Sequence, residues 1–375
     1  MTVHIVGMGI SGLSAAFTLT RAGVSVALYD AAARAGGRCH SFFDKRLNAR
    51  IDNGTHLMLG ANTALLNMLA QCPSDTPLKN AGNKILFFKK NGGSFQIDTA
   101  RPVSALFKLP ELYSLLCESV MNTPVHQADT SLFLKTAVKC FGEKNGQVYL
   151  AEPSLYDCVI APVENFLKNK QTPFYFGKRL RRIKENKLSF FDGSEITTKQ
   201  NDKVILAADP QNLSRLIVGA PELPCQTIVN IHYKTDARLP DGKSFAGLIG
   251  LTGHWIFIKN GILSVTISAA NALLEKFSPD SAASLVWHEL SALLNLPSEL
   301  PDYRVIAEKR ATILQTRAIN RLRLSTDIGS DFVFLAGDAT ATNLPCTIEG
   351  SVRSGIKAAE TVLKSLNKRS LYFLF

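Results

Sequence analysis

The chain has 375 residues, 46% of them hydrophobic, which is enough for two lobes with separate cores. Lys and Arg outnumber Asp and Glu by 42 to 31, but the basic residues are scattered and no nucleic-acid-binding motif accompanies them. Seven cysteines without a C-x-x-C pair argue against a zinc site or a disulfide framework and fit reduced thiols in a cytoplasm. No apolar run approaches the ~18 residues of a membrane span, and a strand predicted from residue 3 leaves no room for a signal peptide.

Val3-His4-Ile5-Val6 reads as a buried parallel strand. It runs into Gly7-x-Gly9-x-x-Gly12. In that spacing Gly7 permits the tight turn, Gly9 lets backbone approach a pyrophosphate, and Gly12 lets the next helix pack against the strand. The helix, from about Ser11 to Ala22, aims its N-terminal N–H groups at phosphate, and Gly23 stops it. Val24, Val26 and Leu28 make the second strand. Asp30 follows 23 positions after Gly7, near the roughly 20 expected for the acid that binds ribose hydroxyls. Next, Gly36-Gly37-Arg38 offers a pliable loop and a fixed cation beside the pyrophosphate.

Residues 103–121 and 129–141 read as helices. Asp192-Gly193 turns a hairpin between Leu188–Phe191 and Glu195–Thr197, and Val204–Ala208 is a buried strand. From Thr227 the pattern changes to strands at 228–233, 245–251, 255–259 and 263–268. Ser278 and Pro279 then open a helix as N-cap and N1, and Pro297 follows its end. Residues 303–313 give one more strand. Phe334 to Asp338 is a strand ending in Gly337-Asp338, whose carboxylate could meet a ribityl hydroxyl. The helix opening near Thr347, Ile348 and Glu349 points its positive end at a ring that gains negative charge on reduction. The glycine fingerprint alone does not separate NAD from FAD. Together with the Gly-Gly-Arg loop and the distant Gly-Asp strand, it favours FAD.

The expected fold is α/β: a Rossmann-like FAD-binding part built from residues 1–72, 173–218 and 326–375. A substrate part of mixed or antiparallel sheet with helices is expected from 73–172 and 219–325.

The dinucleotide end resembles the flavin amine oxidase and phytoene desaturase superfamily. Several segments are closer to one branch, the FAD-dependent hydroxysqualene dehydroxylases of bacterial hopanoid biosynthesis, also called squalene-associated desaturases. The matching residues are Ile51 to Gly60 (IDNGTHLMLG), Met121 to Pro124 with Leu132 to Leu134, Val265 to Ala270, Glu308 to Thr312, and Leu335 to Gly355. The chain departs from the branch at Ala339, where Trp is usual, at Asn343, where Gly is usual, and by a shorter stretch between about 72 and 120. These departures bear on the pocket wall and substrate entrance, not on the cofactor.

The resemblance implies reductive removal of an allylic hydroxyl from a long isoprenoid, hydroxysqualene, to give squalene. Such chemistry needs an acid for the leaving hydroxyl, a dry tunnel and a held flavin. Asp52, His56 and Glu349 are the polar candidates near the ring. His56 is weighed between proton donor and hydrogen-bonded structural histidine, and Glu349 between acid and helix cap. The 21 Phe against 2 Trp suit either a triterpene tunnel or a Phe-rich core. Other readings are a carotenoid-type desaturase, a flavin amine oxidase, and a non-catalytic lipid-handling scaffold. Residues 337–347 contain no aromatic, which weighs against the amine oxidase. The net charge of +11 and the basic-then-aromatic tail Lys368 to Phe375 make peripheral contact with an anionic membrane face an expectation. Neighbouring squalene-pathway enzymes are expected partners, and nucleic acid and metal are not.

Overall fold

The computed structural model describes residues 1–101 and 110–366. Its first layer is a five-stranded parallel sheet in the order Phe174–Tyr175, Ser25–Tyr29, Thr2–Val6, Lys203–Leu206, Val333–Leu335. Thr2–Val6 lies in the middle and is buried on both faces, as a strand covered on both sides must be, with His4 the polar exception, its Nδ1 3.1 Å from the Tyr29 hydroxyl. Val3 and Ile5 face a helical layer with no exposed surface. Leu206 and Leu335 face the other way, toward the antiparallel sheet of Leu180–Lys184, Lys187–Phe190 and Glu195–Thr197.

The helical layer is built on glycine. The first helix, Ile10–Arg21, packs along the last, Ile348–Ser365. A Cβ on Gly355 would come to 2.0 Å from the Ser11 carbonyl oxygen and 2.1 Å from Ser14 Oγ. Ser14 Oγ ties the two helices by donating to the carbonyls of Ser11 and Val352 at 2.9 and 3.1 Å.

A second, seven-stranded sheet runs Tyr303–Ile313, Cys225–Lys234, Ile262–Ile267, Trp255–Lys259, Phe245–Ile249, Lys84–Lys89, Ser94–Asp98. All its pairings are antiparallel except that between Phe245–Ile249 and Lys84–Lys89. Helix Pro279–Leu294 covers one face, burying Val286, Trp287 and Leu290 against Val229, Ile231 and Val265. The Ser278 side chain caps it by accepting from Ser281 N at 3.1 Å, and Asn295 ends it in the left-handed conformation (φ 52°). Helices Pro110–Met121 and Thr130–Ala137 pack on the other side with Phe87, Phe245 and Phe257.

Some elements differ from expectation for local reasons. The 245–251 strand stops at Ile249 because Gly250 adopts φ +78°. The 129–141 helix ends at Ala137 and tightens into a 3₁₀ turn over Val138–Cys140. Residues 73–172 do not all join the second sheet: Leu155, Val159, Val163 and Leu167 are buried with the first helix, in the core of the five-stranded sheet. Of the 103–121 helix, residues 103–109 lie outside the described residues, as does the Lys368 to Phe375 tail. Among the described residues no helix is long and apolar enough to cross a membrane.

The contact at Gly355 is backbone against backbone and cannot be relieved by a rotamer change. Gly355→Ala should therefore lower stability by about 1–3 kcal/mol, read as a lower urea midpoint. An unchanged midpoint would contradict the close helix crossing.

Candidate functional site

Three glycines shape the turn after the central strand, and their reasons differ. Gly7 holds φ +105°, and a Cβ there would strike the Ala207 carbonyl oxygen at 2.3 Å. A Cβ on Gly12 would meet the Gly7 carbonyl oxygen at 1.9 Å. Gly9 has an ordinary φ of −66°, and a Cβ on it would meet no protein atom within 4 Å. Among the described residues nothing fills the space beside Gly9, so its bare backbone is left open to a ligand. Gly9 is also the N-cap of the first helix and supplies no side-chain cap. The N–H groups of the first turn, Ser11 and Gly12 included, have no partner within the helix and can receive a phosphate.

Other predicted residues gather around this turn. The Asp30 carboxylate accepts from Met8 N at 2.6 Å and from Ala32 N at 2.8 Å, which fixes it at the end of the second strand. Gly36 bridges Gly9 and donates to the Met8 carbonyl at 2.8 Å, while Gly37 lies so near that its Cβ would be 3.2 Å from Gly9 Cα. Arg38 grips Asp338 with two prongs, 3.0 and 2.6 Å, and the Asp338 charge raises the Arg38 pKa. Gly337, at φ +132°, donates to Ser354 Oγ of the last helix at 2.8 Å. Thr347 caps that helix by accepting from Gly350 N at 3.2 Å, and Ile348 is its first residue. The last helix thus joins the first near Gly12 and meets the Gly337-Asp338 turn in the same region.

The three polar candidates for chemistry are not alike. Asp52 is buried. Its Oδ1 accepts from Ser41 Oγ at 2.6 Å and Leu155 N at 2.9 Å, and its Oδ2 pairs with Lys259 at 3.0 Å. Glu349 is also buried, and its two oxygens accept from Ala64 N and Leu65 N at 3.0 Å, capping helix Thr63–Leu69. Arg353 adds a third bond at 2.7 Å. Both carboxylates are occupied in joining segments of the chain, so the expected acid role for Asp52 and Glu349 does not match their surroundings. His56 differs. Its ring keeps open surface, yet enough protein surrounds it that desolvation lowers its pKa. Nδ1 donates to the Gly54 carbonyl at 2.8 Å, which leaves Nε2 free.

The sequence reading missed the groups that brace this region. Asn230 Nδ2 donates to the Asn53 carbonyl at 3.1 Å and so holds the segment before His56. The side-chain oxygen of Gln315, fully buried, accepts from Cys346 N at 2.8 Å, and the Gln315 backbone N–H donates to Thr123 Oγ1 at 2.9 Å. Lys259 stands at the end of an apolar strand, where an inward lysine is the one signal that could have marked it.

Residues 10–127 and 137–363 match the family of flavin-containing amine oxidoreductases. The chain is 30% identical to a hydroxysqualene dehydroxylase of Sinorhizobium fredii over 97% of its own length and 99% of that protein's. A hydroxysqualene dehydroxylase of Zymomonas mobilis is also 30% identical, over 96% and 98%. Similarity to a zeta-carotene desaturase of Arabidopsis thaliana is 30% but covers only 28% of this chain and 19% of the other. Among solved structures, cyclohexylamine oxidase from Brevibacterium oxydans superposes with a TM-score of 0.70 at 14% identity, covering 98% of this chain and 99% of that one. A redesigned putrescine oxidase gives 0.68 at 16% identity, over 97% and 100%. At such identities these two show the fold alone, an α/β dinucleotide layer with a mixed-sheet second part. The chain belongs to the flavin-containing amine oxidoreductases and, within them, to the hydroxysqualene dehydroxylases.

Proposed function

We propose that this FAD-dependent oxidoreductase reductively removes the hydroxyl of a hydroxysqualene-like isoprenoid and yields squalene. The observation that carries the reading is the end-to-end similarity to hydroxysqualene dehydroxylases, set against a short local match to a desaturase.

The residues present fit FAD. The bare surface at Gly9, flanked by Gly7, Ser11 and Gly12, suits the pyrophosphate, and Asp30 suits ribose hydroxyls. Gly36, Gly37, Arg38, Gly337 and Asp338 would hold the phosphate and ribityl side, and Thr347 and Ile348 present the last helix's positive end. When bound and reduced, FAD supplies a hydride. The chain's part is to deliver a proton to the hydroxyl, so that the C–O bond breaks with water as the leaving group, and to keep bulk water from the carbon that accepts the hydride.

We assign proton delivery to His56, the polar candidate whose side chain is open and whose Nε2 is free. Neutral His56 has no proton on Nε2, because Nδ1 holds it against Gly54. It acts as an acid only when doubly protonated, and its lowered pKa places that form below the usual value of about 6.5. The apolar chain of the substrate needs a surface other than the Phe cluster of the second sheet. There Phe87 packs on Phe95 and Trp255, and Phe245 on Phe257, ring against ring in a filled core. A lipid-soluble substrate accords with a peripheral position at a membrane and with handover from neighbouring squalene-pathway enzymes.

Anaerobic mixing of the reduced, FAD-loaded protein with hydroxysqualene tests the reading. Flavin reoxidation with squalene formed is expected, whereas rapid flavin reduction by amines and no response to isoprenoids would refute it. Gly9→Val should abolish FAD binding while lowering the unfolding free energy of the apoprotein by no more than about 2 kcal/mol, the cost of a poorer N-cap. Retention of full flavin by that variant would remove the basis for the site. The single-turnover reoxidation rate should rise as pH falls through a value below 6.5, because His56 must be protonated. In His56→Gln, FAD should remain bound, the rate should drop roughly 10²–10⁴-fold, and that pH dependence should disappear. A Gln variant with the parent's pH profile would move proton delivery to another group.

A further inference from the structure

Behind the Gly337-Asp338 turn lies a cation that the site described so far does not use. Arg323 is 7% exposed. It follows the short helix Arg317–Arg321, and its side chain runs under the loop that links Asp338 to the last helix. Nη1 donates to the Leu344 carbonyl at 2.8 Å, and Nη2 donates to the Asp338 carbonyl and to Thr342 Oγ1 at 3.0 Å. The main chain beside it adds a further tie, Ala341 N to the Leu324 carbonyl at 2.8 Å. Every partner of the guanidinium is neutral. Its Nε is buried with no partner at all. Among the described residues no carboxylate makes an ion pair with it, and the Asp338 carboxylate is already engaged by Arg38.

A buried guanidinium held only by neutral dipoles is costly, because they replace its hydration incompletely and no charge answers it. A neutral amide could make comparable bonds to the same carbonyls at lower cost. The local charge count is two guanidinium groups, Arg38 and Arg323, against one carboxylate, Asp338. The N-terminus of the last helix adds positive potential to the same region. An anion arriving there would complete the balance, and the flavin ring gains negative charge when it is reduced.

We propose that Arg323 is a potential-setting residue: a fixed buried cation that favours reduced over oxidised FAD, acting by charge from behind the Asp338–Leu344 loop. The proposal rests on the FAD reading above but not on the identity of the substrate. It makes Arg323 a positioning and tuning residue, not one that touches the isoprenoid.

The midpoint potential of bound FAD, measured by dye-coupled reduction without substrate, decides the matter in three proteins. In Arg323→Gln, which can still donate to a carbonyl but has no charge, the preference for reduced FAD should weaken at least tenfold. For a two-electron couple that is a potential lower by about 30 mV or more. In Arg323→Lys, which keeps the charge and loses the fork of bonds, the potential should stay near that of the parent. A Gln variant that holds FAD at the parental potential overturns the proposal. So does a Gln variant whose affinity for oxidised FAD falls while its potential is unchanged, since the charge would then serve the pyrophosphate. Should the Gln variant retain no FAD, the Lys variant decides alone. A Lys variant with lowered potential, or with no FAD, shows that the bonds and not the charge matter. A parent protein that binds no FAD would instead overturn the cofactor reading.

Discussion

The two-pronged ion pair between Arg38 and Asp338 closes this molecule. Its partners stand 300 positions apart in the chain, and each follows a glycine turn. Arg38 ends a Gly-Gly loop that rests against Gly9, and Asp338 follows a glycine with φ +132°. Bringing them together fixes the loop over the glycine turn and fixes the start of the path to the last helix. Because Asp338 is buried, its charge is poorly screened and the guanidinium is held strongly.

The rest of the site is arranged by short polar braces between distant segments. Glu349 caps a helix from the first third of the chain, and Asp52 binds Lys259 across the boundary with the second sheet. Gln315 spans from Thr123 to Cys346. Each is a buried polar group satisfied by partners far away in sequence, which is costly to break and leaves little freedom at the loops it joins. His56 escapes this pattern, since its single bond is to the nearby Gly54 carbonyl. Side chains that brace are thus marked by the distant segments each one holds, and His56 is set apart from them.

That separation was not legible in the sequence, whereas the glycine turn was. The reason for Gly7 and Gly12 is local: a strand, a turn and a helix in a fixed spacing, with steric consequences that follow from the backbone. The strands after Thr227 and the Ser278 cap were readable for the same reason. Whether Glu349 is a cap or an acid depends on helix Thr63–Leu69 lying over it, which no spacing near Glu349 records. The chain's discontinuity was readable from motifs at both ends, but the return of 155–167 to the first core was not, because an apolar helix does not name its partner. Arg323 gave no signal, since an arginine in an irregular stretch is usually solvated.

The order of strands in the five-stranded sheet has a consequence for how this protein is made. Its central strand, Thr2–Val6, needs Lys203–Leu206 beside it, and that strand in turn needs Val333–Leu335. One neighbour of Thr2–Val6, the strand Ser25–Tyr29, lies close by in sequence, but the other comes about 200 residues later. Until Val333–Leu335 and the last helix have been synthesised, the central strand and the glycine-punctuated first helix must wait without their final cover. Completion of this layer therefore waits on a segment more than 300 residues away from its central strand. A flavin held by both the Gly9 turn and the Gly337-Asp338 turn would be a late clasp on this layer, not a nucleus around which it forms.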